Sequence, residues 1–129
     1  MTEPLTRILY VEDEPDIQMI ARLALETLGG FTLEVCSSGR EALEKITAFQ
    51  PQLILLDVMM PGMDGPTTLG ELRKLPAFAD TPTIFMTAKV QPSEITGYKA
   101  IGAIDVIPKP FDPMMLSNQV LEIWTHCHG

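Results

Sequence analysis

The residues of this chain whose types and spacing suit chemistry are Glu12-Asp13, Asp57, Thr87-Ala88 and Lys109. Brought together, they make three carboxylates, a hydroxyl and an ammonium. Carboxylates ~4 Å apart repel by about 4 kcal/mol per pair at an effective dielectric near 20, so such a cluster wants a cation. Oxygen ligands without imidazole or thiolate point to a hard ion, Mg²⁺ before Ca²⁺. A divalent ion in turn attracts a phosphoryl group, for which Lys109 supplies a second positive charge and Thr87 a hydroxyl donor, while a side chain as small as Ala88 leaves room. Asp57 is the best nucleophile of the set, because an ionised carboxylate can attack phosphorus in line and form an aspartyl phosphate. No Ser-His or Cys-His pair competes with it, since both histidines, His126 and His128, fall in the final segment.

These residues share a context. Each follows one of the short apolar segments that recur at 7–11, 53–57, 83–87 and 104–108, and a fifth such segment, 32–36, ends in Cys36-Ser37-Ser38 without an ionisable group. The run Leu53-Ile54-Leu55-Leu56 reads as a strand buried on both faces, with Asp57 where it surfaces. Between the strands lie stretches of about ten or more residues with helical signals, the crossover length that parallel strands require. The stretch 16–28 places Ile17, Ile20, Ala21, Ala24, Leu25 and Leu28 on one helical face, and Gly29-Gly30 is a natural stop. Ser38 with Glu41 is a capping-box pattern opening a helix to about Phe49. Helices near 66–75 and 92–101 begin with proline, followed by Thr67 and Ser93 respectively, and a last one near 113–126 turns Leu116, Val120, Ile123 and Trp124 inward. A fivefold βα alternation predicts a five-stranded parallel sheet with helices on both faces and right-handed crossovers. Parallel strands point the same way, so their carboxyl ends gather the candidate residues on one rim.

Length and composition agree with one compact domain. The chain has 129 residues, of which 46% are hydrophobic and 20% charged. That is large enough to bury a core without disulfides or structural metal. The expected organisation is a single domain over 1–129, with its core at about 7–124 and no output module. Nine Lys+Arg against seventeen Asp+Glu give a formal charge of −8, which disfavours nucleic-acid binding through phosphate contacts. The start lacks a signal-peptide pattern and no apolar run approaches ~18 residues, so no membrane association is expected and the location is read as cytoplasmic. Two cysteines make no disulfide framework, and Cys36 falls in an apparent core strand.

Taken singly, each candidate has an ordinary alternative. A lone Asp at a strand end is most often a turn or capping residue, Glu12, Asp13 and Asp16 can favour a helix amino terminus, and Thr87 can be a cap. Asp16 is left out of the site on that ground. Met59-Met60-Pro61-Gly62-Met63 suits a loop folding its methionines over the core, with Gly62 and Gly65 serving turns. Tyr98 and Trp124 suit helix packing. His126-Cys127-His128 has the residue types of a metal fragment, but adjacent ligands on a terminus close no site.

Over about 7–124 the sequence resembles the receiver domain of two-component response regulators. The resemblance is carried by Ile8-Leu9-Tyr10-Val11-Glu12-Asp13-Glu14-Pro15, by Leu56-Asp57-Val58-Met59-Met60-Pro61-Gly62-Met63-Asp64-Gly65, by Met86-Thr87-Ala88 and by Lys109-Pro110-Phe111. It implies an α/β, flavodoxin-like, doubly wound sheet of order 2-1-3-4-5. It further implies a phosphoryl group accepted on Asp57 from a phosphohistidine of a histidine kinase or histidine phosphotransfer protein. Mg²⁺ would be held by Asp13, Asp57 and the backbone carbonyl of Met59, with Glu12 helping through water. Thr87, Ala88 and Lys109 would receive the phosphoryl group, Thr87 drawing its loop inward and remodelling a face within 92–124 where a downstream protein docks. The Lys109-Pro110 peptide is typically cis in the family. Two positions depart from the family pattern: Val106 stands where an aromatic relay is usual, and Pro108 precedes Lys109, which an edge strand tolerates.

These readings favour a phosphorylation-dependent switch that modifies itself on Asp57 and is not a conventional turnover enzyme. A pseudo-receiver that binds partners constitutively is the alternative, motivated by Val106. A haloacid dehalogenase-like phosphatase ranks low, because its general acid/base would sit where this chain has Met59. Flavin binding ranks low too, since Glu12-Asp13-Glu14 would repel a cofactor phosphate.

Overall fold

Five short strands form where the apolar runs are densest: β1 (Arg7–Val11), β2 (Thr32–Cys36), β3 (Leu53–Asp57), β4 (Thr83–Thr87) and β5 (Asp105–Pro108). The computed structural model describes residues 3–128, the His128 side chain excepted. All neighbouring strands pair parallel, in the order β2-β1-β3-β4-β5. This is the doubly wound, flavodoxin-like α/β sheet expected, and β3 is buried at every position because both of its faces are covered. The fifth strand starts at Asp105 rather than Ile104. It lies at the edge, where Pro108 pairs with Thr87 at no cost to an interior ladder.

Side-chain alternation along the strands divides the core in two. Ile8, Tyr10, Leu53, Leu55, Ile84, Met86 and Ile107 pack with residues of α1 (Pro15–Arg22) and α5 (Leu116–His128). Leu9, Val11, Ile54, Leu56 and Phe85 face α2 (Gly39–Phe49), α3 (Gly65–Arg73) and α4 (Pro92–Ala100) on the other side. The predicted inward face of α5 holds: Leu116, Val120 and Trp124 are buried and Ile123 packs against them. That helix begins at Leu116 and continues through His128, later at both ends than expected. Among the described residues, no helix is long and apolar enough to cross a membrane.

The first helix departs most from expectation. Beyond Arg22 it widens into a π-helical segment, Leu23–Leu28. The wider turn changes the angular step per residue, and Leu28, expected inside, is exposed; Ile20, which precedes the widened segment in α1, is exposed as well. The distortion accompanies a close approach: Ser117 Oγ of α5 donates to the Ala24 carbonyl at 2.7 Å, and a Cβ on Gly29 would lie 2.2 Å from that same oxygen. Gly30, at φ +74°, ends the segment in the left-handed region as the Gly-Gly pair predicts.

Local capping is otherwise close to the sequence signals. Ser38 Oγ accepts from Glu41 N at 3.1 Å at the start of α2, while the Glu41 carboxylate takes the Ser37 N–H rather than that of Ser38. Asp64 caps α3, accepting from Thr67 N at 2.8 Å. For α4 the cap is Gln91, just before Pro92, and Glu94 Oε1 accepts from Gln91 N at 3.2 Å.

Candidate functional site

Because the strands are parallel, β1, β3, β4 and β5 deliver Glu12-Asp13, Asp57, Thr87 and Lys109 to one rim. One carboxylate oxygen from each of Glu12, Asp13 and Asp57 lies within 4.8 Å of the others. Glu12 and Asp57 are buried, whereas Asp13 is half-buried. Lys109 bridges the two buried acids, with Nζ 3.0 Å from Glu12 Oε1 and 3.1 Å from Asp57 Oδ1. The turn that aims it back contains a cis Lys109-Pro110 peptide, and Lys109 N donates to the Thr87 carbonyl at 2.9 Å.

The electrostatics follow from crowding. Burial pushes the Glu12 carboxyl above its ordinary range, the Lys109 contact offsets this in part, and the Asp57 charge adds to it. For Lys109, burial works downward but the ion pairs with Glu12 and Asp57 outweigh it, so its ammonium is held more firmly than usual. One ammonium among three carboxylates leaves a negative excess. A donor set made only of carboxylate oxygens, with this excess, fits a hard divalent cation.

The remaining candidates are placed as follows. Thr87 is buried, and its Oγ1 accepts from Lys89 N at 3.0 Å, so the hydroxyl serves its own loop. Ala88 is exposed at the mouth of the site. Met59 N lies 3.4 Å from Asp57 Oδ1, and the Met59 side chain is 62% exposed. The expectation that the methionines of this loop fold inward therefore holds for buried Met60 and half-buried Met63 but fails for Met59, which leaves the strand on the solvent side of the rim. Gly65 serves a close approach rather than a turn: a Cβ there would fall 2.6 Å from the Asp57 carbonyl. Gly62, at φ +75°, does serve a turn. The metal-fragment reading of His126-Cys127-His128 turns on the His128 side chain, which lies outside the described residues.

Two neighbours of the site escaped sequence reasoning. Gln18 of α1 donates its amide to the Glu12 carbonyl and, at 3.1 Å, to Ser37 Oγ, tying the β1 and β2 ends together. Tyr10 is fully buried, with its hydroxyl 3.5 Å from Glu12 Oε1. Burial, and then the Glu12 and Asp57 charges, raise the phenol well above its ordinary value, which keeps it a donor. The signal was available, since residues two apart on a strand share a face.

The sequence matches the model of the response regulator receiver domain over residues 8–121. The chain belongs to this family. Among its relatives, the probable C4-dicarboxylate response regulator DctR of Halalkalibacterium halodurans is 36% identical over 110 residues, covering 84% of this chain and 47% of that protein. The transcriptional regulatory protein BaeR of Escherichia coli is 36% identical over 123 residues, 94% of this chain and 49% of that protein. The receiver domain thus spans about half the length of the curated relatives it matches. Among solved structures, the chemotaxis response regulator CheY4 of Vibrio cholerae superposes with a TM-score of 0.85 at 28% identity, covering 93% of this chain and 99% of that one. A response regulator from Chloroflexus aurantiacus gives 0.83 at 30% identity, over 95% and 99% of the two chains.

Proposed function

We propose that this receiver domain is a phosphorylation-dependent switch that accepts a phosphoryl group on Asp57 from a phosphohistidine, the donor being a histidine kinase or a histidine phosphotransfer protein. The observation that carries this reading is the Lys109 bridge between Glu12 and Asp57 at 3.0 and 3.1 Å, set among three converging carboxylates. A packing role needs no such crowding of charge, whereas phosphoryl transfer does.

Asp13, Asp57 and the Met59 carbonyl, with Glu12 alongside, would hold Mg²⁺, which would supply charge neutralisation at the phosphoryl oxygens when bound. The chain's own residues do the rest. An Asp57 carboxylate oxygen forms a bond to phosphorus as the phosphorus–nitrogen bond of the donor breaks, and the electron pair leaves with the imidazole nitrogen, which takes up a proton from solvent. Lys109, already beside Asp57, turns to the incoming phosphoryl oxygens. Thr87 accepts from Lys89 N, and its own hydroxyl proton is the donor for a phosphoryl oxygen. Engaging it pulls the loop that precedes α4, so that the signal reaches the face within 92–124, where a downstream protein docks. Hydrolysis of the aspartyl phosphate resets the switch, and no turnover of an external substrate is involved.

Labelling by a small phosphodonor with Mg²⁺ is expected to be lost in Asp57→Ala and retained in Asp16→Ala. Equal labelling of Asp57→Ala and the parent would defeat the assignment. The constitutive pseudo-receiver is the second reading, favoured by Val106, which packs half-buried against the core cluster on the α4 side, where an aromatic relay is usual. It predicts equal partner affinity with and without beryllofluoride, a phosphoryl mimic.

A further inference from the structure

Glu12 Oε1 is a buried oxygen with two neighbours of different kinds. Lys109 Nζ stands 3.0 Å away and the Tyr10 hydroxyl 3.5 Å away, while Oε2 of the same carboxylate takes the Glu14 N–H at 3.2 Å. Tyr10 reaches this oxygen from below: its ring is fully buried in the core between the sheet and α1 and α5, and its hydroxyl points up into the acidic site. At 3.5 Å the bond is at the outer limit of hydrogen-bond geometry and contributes little while the ammonium occupies Oε1.

The balance changes when Lys109 is drawn away. In the function proposed above, on which this inference rests, Lys109 turns toward phosphoryl oxygens attached to Asp57. Glu12 is fully buried, so even with the cation alongside and the Glu14 N–H on Oε2, an Oε1 left by the ammonium lacks a direct donor, which is costly for a buried carboxylate oxygen. We propose that Tyr10 is a positioning residue whose hydroxyl takes over Glu12 Oε1 when Lys109 transfers to the phosphoryl group, so that the phosphoryl-bound state depends on it more than the empty one. The rearrangement is small: the phenol remains a donor, its ring stays in the core, and the hydroxyl closes by about 0.5–0.8 Å to reach normal bonding distance. No bond is made or broken covalently.

The test compares the parent with Tyr10→Phe, which keeps the ring and removes only the hydroxyl. Three quantities are measured: the urea midpoint without metal, the affinity for Mg²⁺ alone, and the affinity for beryllofluoride at saturating Mg²⁺, both affinities by calorimetry. The expected result is a beryllofluoride affinity reduced about five- to tenfold, the scale of one ordinary net hydrogen bond, with Mg²⁺ affinity within about twofold of the parent. In a Glu12→Gln background, where no buried charge needs a partner, adding Tyr10→Phe is expected to change beryllofluoride affinity less than about twofold. Four results would overturn the proposal: unchanged beryllofluoride affinity, an equal loss for Mg²⁺ alone, the same loss in the Glu12→Gln background, or a Tyr10→Phe chain unable to fold, which would make the hydroxyl structural. The two levels separate cleanly. A folded parent that does not bind beryllofluoride defeats the proposed function itself, whereas a parent that binds it and a Tyr10→Phe variant that binds it equally well defeat only the role of Tyr10.

Discussion

Helices α3 and α4 are both nine residues long, both carry a proline in the first turn, and each follows a strand that ends in a site residue, Asp57 for one and Thr87 for the other. Their attachment to the sheet is very different. Helix α3 buries Gly65, Thr68, Leu69 and Leu72, whereas α4 buries no residue fully. Glycines also clamp α3 into place, since a Cβ on Gly65 would strike the Asp57 carbonyl and one on Gly39 of α2 would lie 2.1 Å from Thr68 Oγ1. Its far end is held by Arg73, which donates to the Phe78 carbonyl at 3.0 Å and the Thr81 carbonyl at 2.6 Å. Helix α4 rests on half-buried Ile95 and on Tyr98, whose ring meets Phe85 edge-on at 5.4 Å. The element beside Asp57 is therefore rigid, and the element beside Thr87 can be displaced at little cost. The proposed switch needs both: a fixed place for the chemistry and a cheap place for the response.

The largest expected effect tests this difference directly. Leu72→Ala should cost about 2–5 kcal/mol of unfolding free energy, because it opens a cavity in a fully packed cluster. Ile95→Ala should cost about 1 kcal/mol or less, since solvent already reaches part of that side chain. Urea denaturation of the two variants reads both numbers. Native-state hydrogen exchange should agree, with α3 amides opening near the global free energy and α4 amides well below it. Equal costs would abolish the contrast.

Much of this architecture was legible in the sequence, and the failures have physical causes. Four strands have the expected bounds because runs such as Leu53-Ile54-Leu55-Leu56 leave no other way to bury four adjacent aliphatics. The convergence of Glu12, Asp13, Asp57, Thr87 and Lys109 was readable because parallel strands must end together. The π-helical turn at Leu23–Leu28 was not, because it answers a tertiary contact with Ser117, 93 positions from Ala24. Helical periodicity assumes a constant angular step, so Leu28 was turned inward on paper and outward in the fold. The weak seating of α4 also leaves no signature, since Ile95 and Tyr98 have the types of core residues, yet both stay half-buried in the fold. Tyr10 was passed over for the opposite reason: an aromatic in a buried strand already has an explanation, and its hydroxyl only acquires a second one beside Glu12.

A second prediction asks how well sealed the α3 side is. Cys36 lies fully buried in the same core cluster as Leu69 and Leu72, and burial, aided by the Glu41 charge, pushes its thiol up to about 12 from 9.0. A raised thiol pKa means the folded state holds its proton where the unfolded state has lost it. The stabilising contribution is thus complete below pH 9 and is lost as pH rises from 9 toward 12, with a slope of at most about 1.4 kcal/mol per pH unit. Denaturation at pH 8 and pH 10 should show a smaller decline for Cys36→Ala than for the parent. At neutral pH, exposed Cys127 should be alkylated at once and Cys36 only at the rate of global opening.

The smallest expected effect concerns the caps, and it separates the helices by where the loss is felt. Asp64→Ala removes the side chain that accepts from Thr67 N at 2.8 Å, for which about 1 kcal/mol is usual. Because α3 is locked into the core, opening it means opening the molecule, and the loss should register in the global urea midpoint. Glu94→Ala removes a longer contact, 3.2 Å to Gln91 N, on an exposed turn, worth a few tenths of a kcal/mol. Helix α4 can open without exposing a fully buried side chain of its own, so its ends are held by local interactions more than by packing. Glu94→Ala should therefore leave the global midpoint unchanged while α4 amides exchange about twofold faster, and α3 amides should not respond. A shift of the global midpoint in Glu94→Ala would mean that α4 is coupled to the core as tightly as α3, and the division of labour between the two helices would fail.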